Sequence, residues 1–337
     1  MFSVRAFIAV DTEENGTVGF DFHHKITVEK SIDQLTQTAA FVVPKKLVFQ
    51  GKDVSIGQSS IFKRGNAVRI YLGYYPECPK VFEGFISDIK GDLNTTIFCE
   101  DLMWKLKQEE IQFSYKGVQL SQLIKDTIPS GFEYEVNADT TIGHIRSKSK
   151  VAFTQLLETL RKDYSVHSFI REGVLHLGQR YPDTVRTNVD GSGVDRVFQF
   201  AFHRNVLREG NTLVYKREDD VDIKLTLRST NYREDSGVEV EVGDVGGSNR
   251  TLYFFDQTAK ELKEIGEREI KKIRFTGYRG KFKTFALPKV EVGDLARLVD
   301  AENPKQIGAY IIKSVETSSG TSGAFQTIEL DLKVDEN

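Results

Sequence analysis

The residues in this sequence that are best suited to metal or acid–base chemistry are its histidines, and they are scattered. His23 and His24 are adjacent, and neighbouring residues on a strand point to opposite faces, so their imidazoles are not expected to bind one metal ion together. His167 and His176 flank a short predicted turn, and we expect them to face each other across a hairpin. No cysteine or carboxylate partner is evident beside them, which favours a cross-strand pair over a metal site.

Two other segments have compositions found in ion or phosphate sites. Asp220 and Asp222 share one face of a predicted strand, an arrangement that suits a cation but is also typical of a solvated strand end. Residues 243–248 read GDVGGS, but no Lys-Ser/Thr follows and no strand-to-helix turn is predicted, so they do not form a phosphate-binding loop. With no G-x-S-x-G motif and no cysteine set up as a nucleophile, we expect no catalytic site, metal or cofactor.

The densest positive charge lies in residues 271–274 and 278–283. Glutamates at 261, 264, 267 and 269 dilute this charge, so the segment favours a protein interface over a phosphate-binding surface. A second candidate interface is a group of tyrosines just before the turn at 76–79. Tyrosine and arginine are enriched at protein interfaces. The predicted interface residues are Tyr71, Tyr74, Tyr75, Tyr278, Arg279, Lys281 and Lys283.

Composition places the chain among ordinary globular proteins and excludes several functional classes. Of its 337 residues, 39% are hydrophobic and 28% are charged, and the formal charge of −3 favours neither nucleic acid nor an anionic membrane. Two cysteines are too few for a disulfide framework. No apolar run reaches the length of a membrane span, and the N-terminal segment lacks the pattern of a secretory signal. Phenylalanine and tyrosine, 23 and 12 in number against one tryptophan, suit an extensive pleated surface.

The elements that carry these residues repeat at the two ends of the chain. Residues 62–102 and 277–332 each contain an Ala- and Arg-bearing strand after a Gly-polar pair, a Pro-containing turn, a second strand, and a polar hairpin with its return strand. The Gly-polar pairs are Gly65-Asn66 and Gly293-Asp294. In the return strands, Ile97 and Cys99 correspond to Ile328 and Leu330. We interpret this as one β-unit used twice.

The length suggests two or three domains, and the patterning suggests where they lie. Residues 1–105 predict about six strands, enough for a small barrel or sandwich. Residues 106–183 predict a small α+β domain with two helices and a hairpin, the second helix being capped by Ser149. Residues 184–337 return to β structure, interrupted by an amphipathic helix at 258–273. The predicted class is mainly β with an α+β part.

The order of several short motifs along residues 24–332 resembles that of phage tail baseplate hub proteins. This family comprises Mu-type hubs, the late control protein D group and the hub portion of VgrG-type secretion proteins. Near the N-terminus the resemblance rests on Lys30-Ser31, Gln34-Leu35 and Ala40-Phe41. The family's next block is similar to residues 65–70, 84–86 and 100–102, although Asn66 stands where the family usually has Asp. Residues 151–178 are similar to its helix and hairpin, and 205–225 and 277–300 to its later blocks.

This resemblance implies two similar tail-tube-like β-barrels joined by a small α+β domain. It further implies a homotrimer whose six barrels form a pseudo-sixfold ring between a six-fold tail tube and a three-fold central spike. Such a hub has no active site, and we expect the spike to be a separate polypeptide. The resemblance places the protein in the tail baseplate of a virion or phage-like particle, after synthesis in the bacterial cytoplasm. DNA would at most pass through the lumen, and no membrane partner is implied.

Two other functional classes remain open. A glycan- or cell-surface-binding module would need an aromatic-lined groove, and Trp104 is the one tryptophan available to line it. An enzyme of unidentified chemistry is the third possibility, and it lacks a nucleophile or metal constellation in the sequence. The mass in solution separates a hub from a glycan binder, because a glycan binder can be a monomer whereas a hub cannot.

Overall fold

A computed structural model describes residues 3–21, 24–49, 52–55, 61–91, 94–181, 196–230 and 237–334. The described residues are mainly β, with few helices, as the sequence predicts. Their four larger apolar clusters are the cores of two β-units, of an α+β unit between them in sequence, and of a smaller α+β insertion within the second β-unit. A small fifth cluster is formed by Ile32 and Phe169. Within these ranges no helix has the length and apolar character needed to cross a membrane.

The first β-unit is an antiparallel sheet with the strand order β3-β4-β9-β8-β7-β1-β2. Its inward-facing residues alternate with outward-facing ones, as expected of strands with one buried face, and Phe41, Ile70 and Ile97 are fully buried. A short separate hairpin, β5-β6, lies between β4 and β7 in sequence. The strands are β1 (Val4–Thr12), β2 (Gly16–Phe20), β3 (Lys25–Ser31), β4 (Thr38–Pro44), β5 (Lys46–Phe49), β6 (Lys52–Ser55), β7 (Ala67–Tyr74), β8 (Lys80–Lys90) and β9 (Asn94–Glu100).

The α+β unit buries helix faces against short strands, with Leu123, Leu156 and Leu160 fully enclosed. Both predicted helices and the predicted hairpin are present. The predicted cap at Ser149 is wrong, because Val151 and Ala152 pair as a strand and the second helix begins only at Phe153. The elements are α1 (Met103–Leu106), β10 (Glu110–Ile111), β11 (Ser114–Gln119), α2 (Leu120–Thr127), β12 (Tyr134–Val136), β13 (Thr141–Arg146), β14 (Val151–Ala152), α3 (Phe153–Tyr164), β15 (His167–Arg171) and β16 (Val174–Gly178).

The second β-unit encloses Phe200, Phe282 and Tyr310, all fully buried. Its two longest strands form the hairpin that closes the chain, and a short 3-10 turn, Pro304–Gln306, precedes them. The strands are β17 (Val197–Ala201), β18 (Val206–Leu207), β19 (Val214–Lys216), β23 (Gly277–Arg279), β24 (Lys281–Phe285), β25 (Leu295–Val299), β26 (Gly308–Gly320) and β27 (Gly323–Val334).

The insertion between β19 and β23 has its own core. β20 (Ile223–Thr230) is central, with β21 (Val238–Gly243) antiparallel on one side and β22 (Ser248–Phe255) parallel on the other. Helix α4 (Ala259–Ile273) packs on this sheet through Leu262 and Ile270, which confirms the predicted amphipathic helix. Thr258 caps α4 by accepting a hydrogen bond from the Glu261 N–H.

The insertion also contacts the α+β unit. Ser165 ends α3 in the left-handed conformation, with φ of 53°, and its Oγ accepts a hydrogen bond from the Tyr253 N–H at 2.9 Å. The Phe255 ring lies directly over Gly143, where an added Cβ would be 2.3 Å from the ring. This close approach requires glycine at position 143.

The two β-units share their strand pairing residue by residue. In each, a glycine N–H donates to an isoleucine carbonyl, and the isoleucine N–H donates to the carbonyl of the residue after the glycine. The residues are Gly65, Asn66 and Ile86 in the first unit, and Gly293, Asp294 and Ile312 in the second, with distances of 2.8–2.9 Å. One residue later on the same strand, each unit has a β-bulge, between Ile86 and Asp88 and between Ile312 and Ser314.

The return strands continue this correspondence. Phe41 lies opposite Ile97, and Phe282 opposite Ile328, and both phenylalanines are fully buried. Ile86 pairs with Cys99, and Ile312 with Leu330, so the aligned residues Cys99 and Leu330 occupy equivalent positions. In the strand order β3-β4-β9-β8-β7-β1, the place of β3 is thus taken in the second unit by β18 and β19 together, and that of β4 by β24 and β23, with which they pair. The order then continues as β27-β26-β25-β17. The strand pairings of the two units match in order, except that β17 runs parallel to β25 whereas β1 is antiparallel to β7.

The two β-units are joined in one sheet. One edge of β26 pairs with β25 through Ile311 and then with β3 from Ser314 to Ser319. Ala286 and Ala324, from the second half of the chain, complete the core of the first unit. Among the described residues no strand pairing closes either unit into a barrel.

Candidate assembly surfaces

The histidines that the structure describes do not form a site. His23 lies outside the described residues, so the His23-His24 pair is not described as a whole. The predicted pairing of His167 with His176 is wrong, because His167 lies opposite Gly178 and His176 opposite Phe169, whose rings stack at 5.2 Å. His176 Nδ1 instead lies 3.3 Å from a carboxylate oxygen of Glu135, on the parallel strand β12. Burial lowers the pKa of His167 to about 4, so its imidazole is neutral near pH 7.

The acidic and Gly-rich segments have structural roles. Asp220 lies in a 3-10 turn, Glu218–Asp220, and not on a strand face. In the 243–248 segment, Asp244 accepts hydrogen bonds from the Ile223 N–H and the Arg274 guanidinium, which fixes the loop to β20 and α4. In the described part of the chain, no three His, Cys, Asp or Glu side chains are grouped to hold a metal ion.

The densest polar network lies where the two β-units meet the α+β unit. Lys30 of β3 pairs with Glu291 of the second unit at 2.7 Å, and Lys289 pairs with the same carboxylate at 2.8 Å. Burial alone would raise the pKa of Glu291, but the two ammonium groups outweigh it and hold the pKa at about 2. Glu291 is therefore ionised at neutral and at mildly acidic pH.

A second group of charges ties all three units together. Asp33, in the turn after β3, contacts Arg180 at 2.8 Å and Lys313 at 3.1 Å. Lys313 also pairs with Glu329 at 2.8 Å, and Arg180 with Asp331 at 3.2 Å. Because the cations and carboxylates alternate, each charge has a partner, which fixes the orientation of the units rather than creating a binding site.

A cleft of about 370 Å³ lies beside this network. Its wall includes Arg171, whose guanidinium donates to the Val292 carbonyl at 3.1 Å and to Asp294 at 2.9 Å. Gln37 closes another side by donating to the Ile170 carbonyl at 3.0 Å. Lysines and an arginine line the cleft together with glutamates and an aspartate, so it presents no single sign of charge to a ligand.

The predicted tyrosines lie close together but differ in exposure. Tyr75 is 61% exposed, with the Arg5 guanidinium 4.8 Å from its ring centre. The half-buried Tyr71 ring contacts Phe7 of the neighbouring strand at 6.0 Å. The Tyr74 hydroxyl donates to the Ala324 carbonyl at 2.6 Å and accepts from the Ala324 N–H at 3.2 Å. Tyr74 thus joins the two β-units within one chain.

The predicted interface residues between positions 278 and 283 mostly make contacts within the chain. Tyr278 is buried and donates its hydroxyl to Gln306 at 2.7 Å. Arg279 donates to the Ile273 and Phe275 carbonyls, at the C-terminal end of α4. Lys281 pairs with Glu329 at 3.1 Å, and Lys283 lies 4.5 Å above the Phe325 ring. Lys281 is exposed and Lys283 is half-buried, on the face of β24 opposite the buried Phe282.

The sequence analysis missed the charged network because its members are far apart in the chain. Lys30 and Glu291 are separated by 261 positions, and each is an ordinary charged residue next to a strand. The one signal for their proximity is the repeat itself, since matched units at both ends of a chain are expected to pack in related ways.

No family model matches the sequence, and no curated protein matches it significantly. The structure is similar to that of the 43 kDa tail protein of prophage MuSo2 from Shewanella oneidensis, with a TM-score of 0.59 at 16% identity, covering 97% of this chain and 98% of the other. It is equally similar to a tail protein from Neisseria meningitidis MC58, with a TM-score of 0.60 at 13% identity, covering 98% and 97%.

A third similar structure is the E. coli c3393 protein, a component of the type VI secretion system that is itself similar to the T4 tail proteins gp27 and gp5. It gives a TM-score of 0.52 at 9% identity, and the alignment covers 99% of this chain and 75% of that protein. The chain therefore has the fold of phage tail and VgrG-related proteins over nearly its whole length. At these identities the similarity establishes the fold alone.

Proposed function

We propose that this protein is the structural hub of the baseplate in a contractile phage tail or phage-like injection particle. Three subunits form a ring in which the two β-units of each chain alternate. Six similar units thus contact the six-fold tail tube, while the ring keeps the three-fold symmetry of the central spike. In the assembled ring each β-unit closes as a barrel. The proposed location is the virion tail baseplate, with DNA at most passing through the lumen.

One observation carries this proposal: the same strand register, including the same bulge, occurs in both β-units. A chain with two equivalent units converts three-fold symmetry into approximate six-fold symmetry, which is what an adaptor between a six-fold tube and a three-fold spike requires. The full-length similarity to tail proteins supports the same function. A rigid ring needs extensive interfaces and no active site.

The mass of the purified chain in solution tests the proposal. Light scattering and sedimentation are expected to give three times the mass of 38.2 kDa, and electron microscopy a ring with six lobes and a central opening. A monomer at every concentration up to about 100 µM, including after addition of a tail-tube protein, would overturn the hub function.

The exposure of the predicted interface residues decides which substitutions can test self-association. Tyr74 and Arg279 already make contacts within the chain, so substitutions there would also disturb the fold. Tyr75→Asp and Lys281→Glu are the sharper tests, because Tyr75 is 61% exposed and the Lys281 side chain is 53% exposed. We expect each to weaken self-association while leaving the circular dichroism spectrum unchanged.

A second candidate function, glycan binding, has one observation in its favour. A cavity of about 370 Å³ is lined by Leu102, Trp104, Gln108 and Phe132 among others, and the Trp104 indole N–H is buried with no hydrogen-bond partner among the described residues. Aromatic and amide side chains together suit a saccharide. A glycan array that shows binding abolished by Trp104→Ala would favour this function, and a blank array would remove it.

A further inference from the structure

The junction between the two β-units inside the chain shows how one unit uses the edge of the other. β26 is longer than its partner β25, so its second half, from Ser314 onward, extends past β25. β3 pairs antiparallel with this second half, with Ser31 opposite Ser314, Lys30 opposite Val315 and Glu29 opposite Glu316. The sheet therefore passes from the second unit into the first without a break.

The equivalent edge in the first unit is open. β8 corresponds to β26. The last backbone hydrogen bonds from β8 toward β7 are made by Ile86, and those from β26 toward β25 are made by Ile312. Beyond the bulge, Asp88, Ile89 and Lys90 correspond to Ser314, Val315 and Glu316. Among the described residues no strand pairs with this stretch on the β7 side.

The strand equivalent to β3 is open as well. In the first unit, Glu29 pairs with Thr38, three residues before the buried Phe41 of β4. In the second unit, Val214 pairs with Arg279, three residues before the buried Phe282 of β24. Val214, Tyr215 and Lys216 of β19 therefore correspond to Glu29, Lys30 and Ser31. Within the described ranges β19 pairs with β23 alone, and the Val214 side chain is 53% exposed.

We propose that β19 of one subunit pairs antiparallel with residues 88–90 of the next subunit, so that the sheet continues from chain to chain as it does within the chain. The internal junction fixes the register, which places Val214 opposite Lys90, Tyr215 opposite Ile89 and Lys216 opposite Asp88. This inference rests on the proposed ring, and it identifies the contact that closes the ring.

The chemistry of both edges fits this register. Lys216 meets Asp88, whose side chain is 51% exposed and already pairs with Lys90 at 2.8 Å, so a second cation reaches this carboxylate across the junction. The methylene groups of Lys90 pack on the exposed Val214 side chain and shield it from water. Both stretches are strand edges without a strand partner, and such edges otherwise favour uncontrolled aggregation. The Ile89 N–H, which donates to Asp88 Oδ1 at 2.9 Å, exchanges this acceptor for a carbonyl of the next subunit when the ladder forms. A second copy of the chain is the occupant that supplies both complementary edges at once.

Paired cysteines test the register directly. In a Cys78→Ser background, where the remaining Cys99 is buried, Val214→Cys with Lys90→Cys is expected to form disulfides between subunits and give covalent dimers and trimers on non-reducing gels. Val197→Cys with Lys90→Cys is the matched control, because Val197 is an exposed valine, 48% accessible, on a different edge strand. The control is expected to stay uncross-linked.

The outcomes separate this inference from the proposed function. A trimeric mass without the 214–90 cross-link, or with equal cross-linking in the control, overturns the register and leaves the ring. A monomeric mass overturns both.

Charge reversal gives a second test without cysteines. Lys216→Glu and Asp88→Lys are each expected to raise the concentration for half-assembly by about three- to tenfold, by placing like charges opposite each other. Each contact in a cyclic trimer contains one copy of each position, so combining the two reversals in one chain is expected to restore assembly. Additive losses in the double variant would contradict the proposed pairing of these two residues.

Discussion

Asp101 is the buried carboxyl on which the start of the α+β unit depends. Its side chain accepts hydrogen bonds from the Met103 N–H at 3.0 Å, in the first turn of α1, and from the Gln37 N–H at 3.1 Å, after β3. Burial raises the pKa of Asp101 to about 7, against the effect of these two N–H donors, which favour the ionised form. One residue therefore links the first β-unit to the α+β unit and titrates near neutrality.

Replacing Asp101 tests both roles. Asp101→Ala leaves two buried N–H groups without an acceptor, and we expect the free energy of unfolding to fall by about 2–4 kcal/mol. Asp101→Asn keeps an acceptor oxygen, so a smaller loss is expected. Urea denaturation of the three proteins measures these differences, and equal stability of Asp101→Ala and the parent chain would contradict the assigned role.

The same residue predicts a pH dependence. Because its pKa is higher in the folded than in the unfolded state, the folded state holds the proton more tightly between about pH 4 and pH 7. The stability contributed by this group is therefore present at about pH 4 and lost as the pH rises through about 7. We expect Asp101→Asn to remove this component from the pH profile of unfolding, and an unchanged profile would refute it.

At the level of elements, the repeated strand pattern could be predicted from the sequence, whereas the pairing of distant segments could not. Gly-polar pairs, strand lengths and return strands identified the repeated unit, because alternation and turn residues are local signals. The parallel pairing of β20 with β22, and the separate core that it builds with α4, depend on contacts between segments whose order no local pattern specifies. Glu135 beside His176 escaped prediction for the same reason.

Tyr74 provides a prediction about the contact between elements β7 and β27. Tyr74→Phe removes the hydroxyl that bonds both backbone groups of the fully buried Ala324, and we expect a loss of about 1–3 kcal/mol in the free energy of unfolding. Tyr71→Phe, on the same strand, is the control and is expected to change stability by less than about 0.5 kcal/mol. Thermal or urea unfolding of both variants distinguishes them. Similar losses would show that the Tyr74 hydroxyl has no special contribution.

Considered as a whole, the molecule has two β-units that complete each other. The core of the first includes Ala286 and Ala324, and its strand β3 has β26 as a neighbour. We therefore expect a fragment ending at residue 183 to lack a stable fold, despite containing all strands of the first unit and the whole α+β unit. A dispersed NMR spectrum and a cooperative unfolding transition for this fragment would contradict the prediction, with the full chain as reference.

The strand pairing of β3 with β26 also affects how the chain reaches its fold during synthesis. β3 leaves the ribosome among the first strands, but its partner on one side is made nearly 290 residues later. At about 5–20 residues per second, this edge of β3 stays unpaired for roughly 15–60 s. Throughout that interval the nascent chain exposes a strand edge to its neighbours on the same messenger, so successive copies emerging from one polysome have the opportunity to pair before any of them is complete.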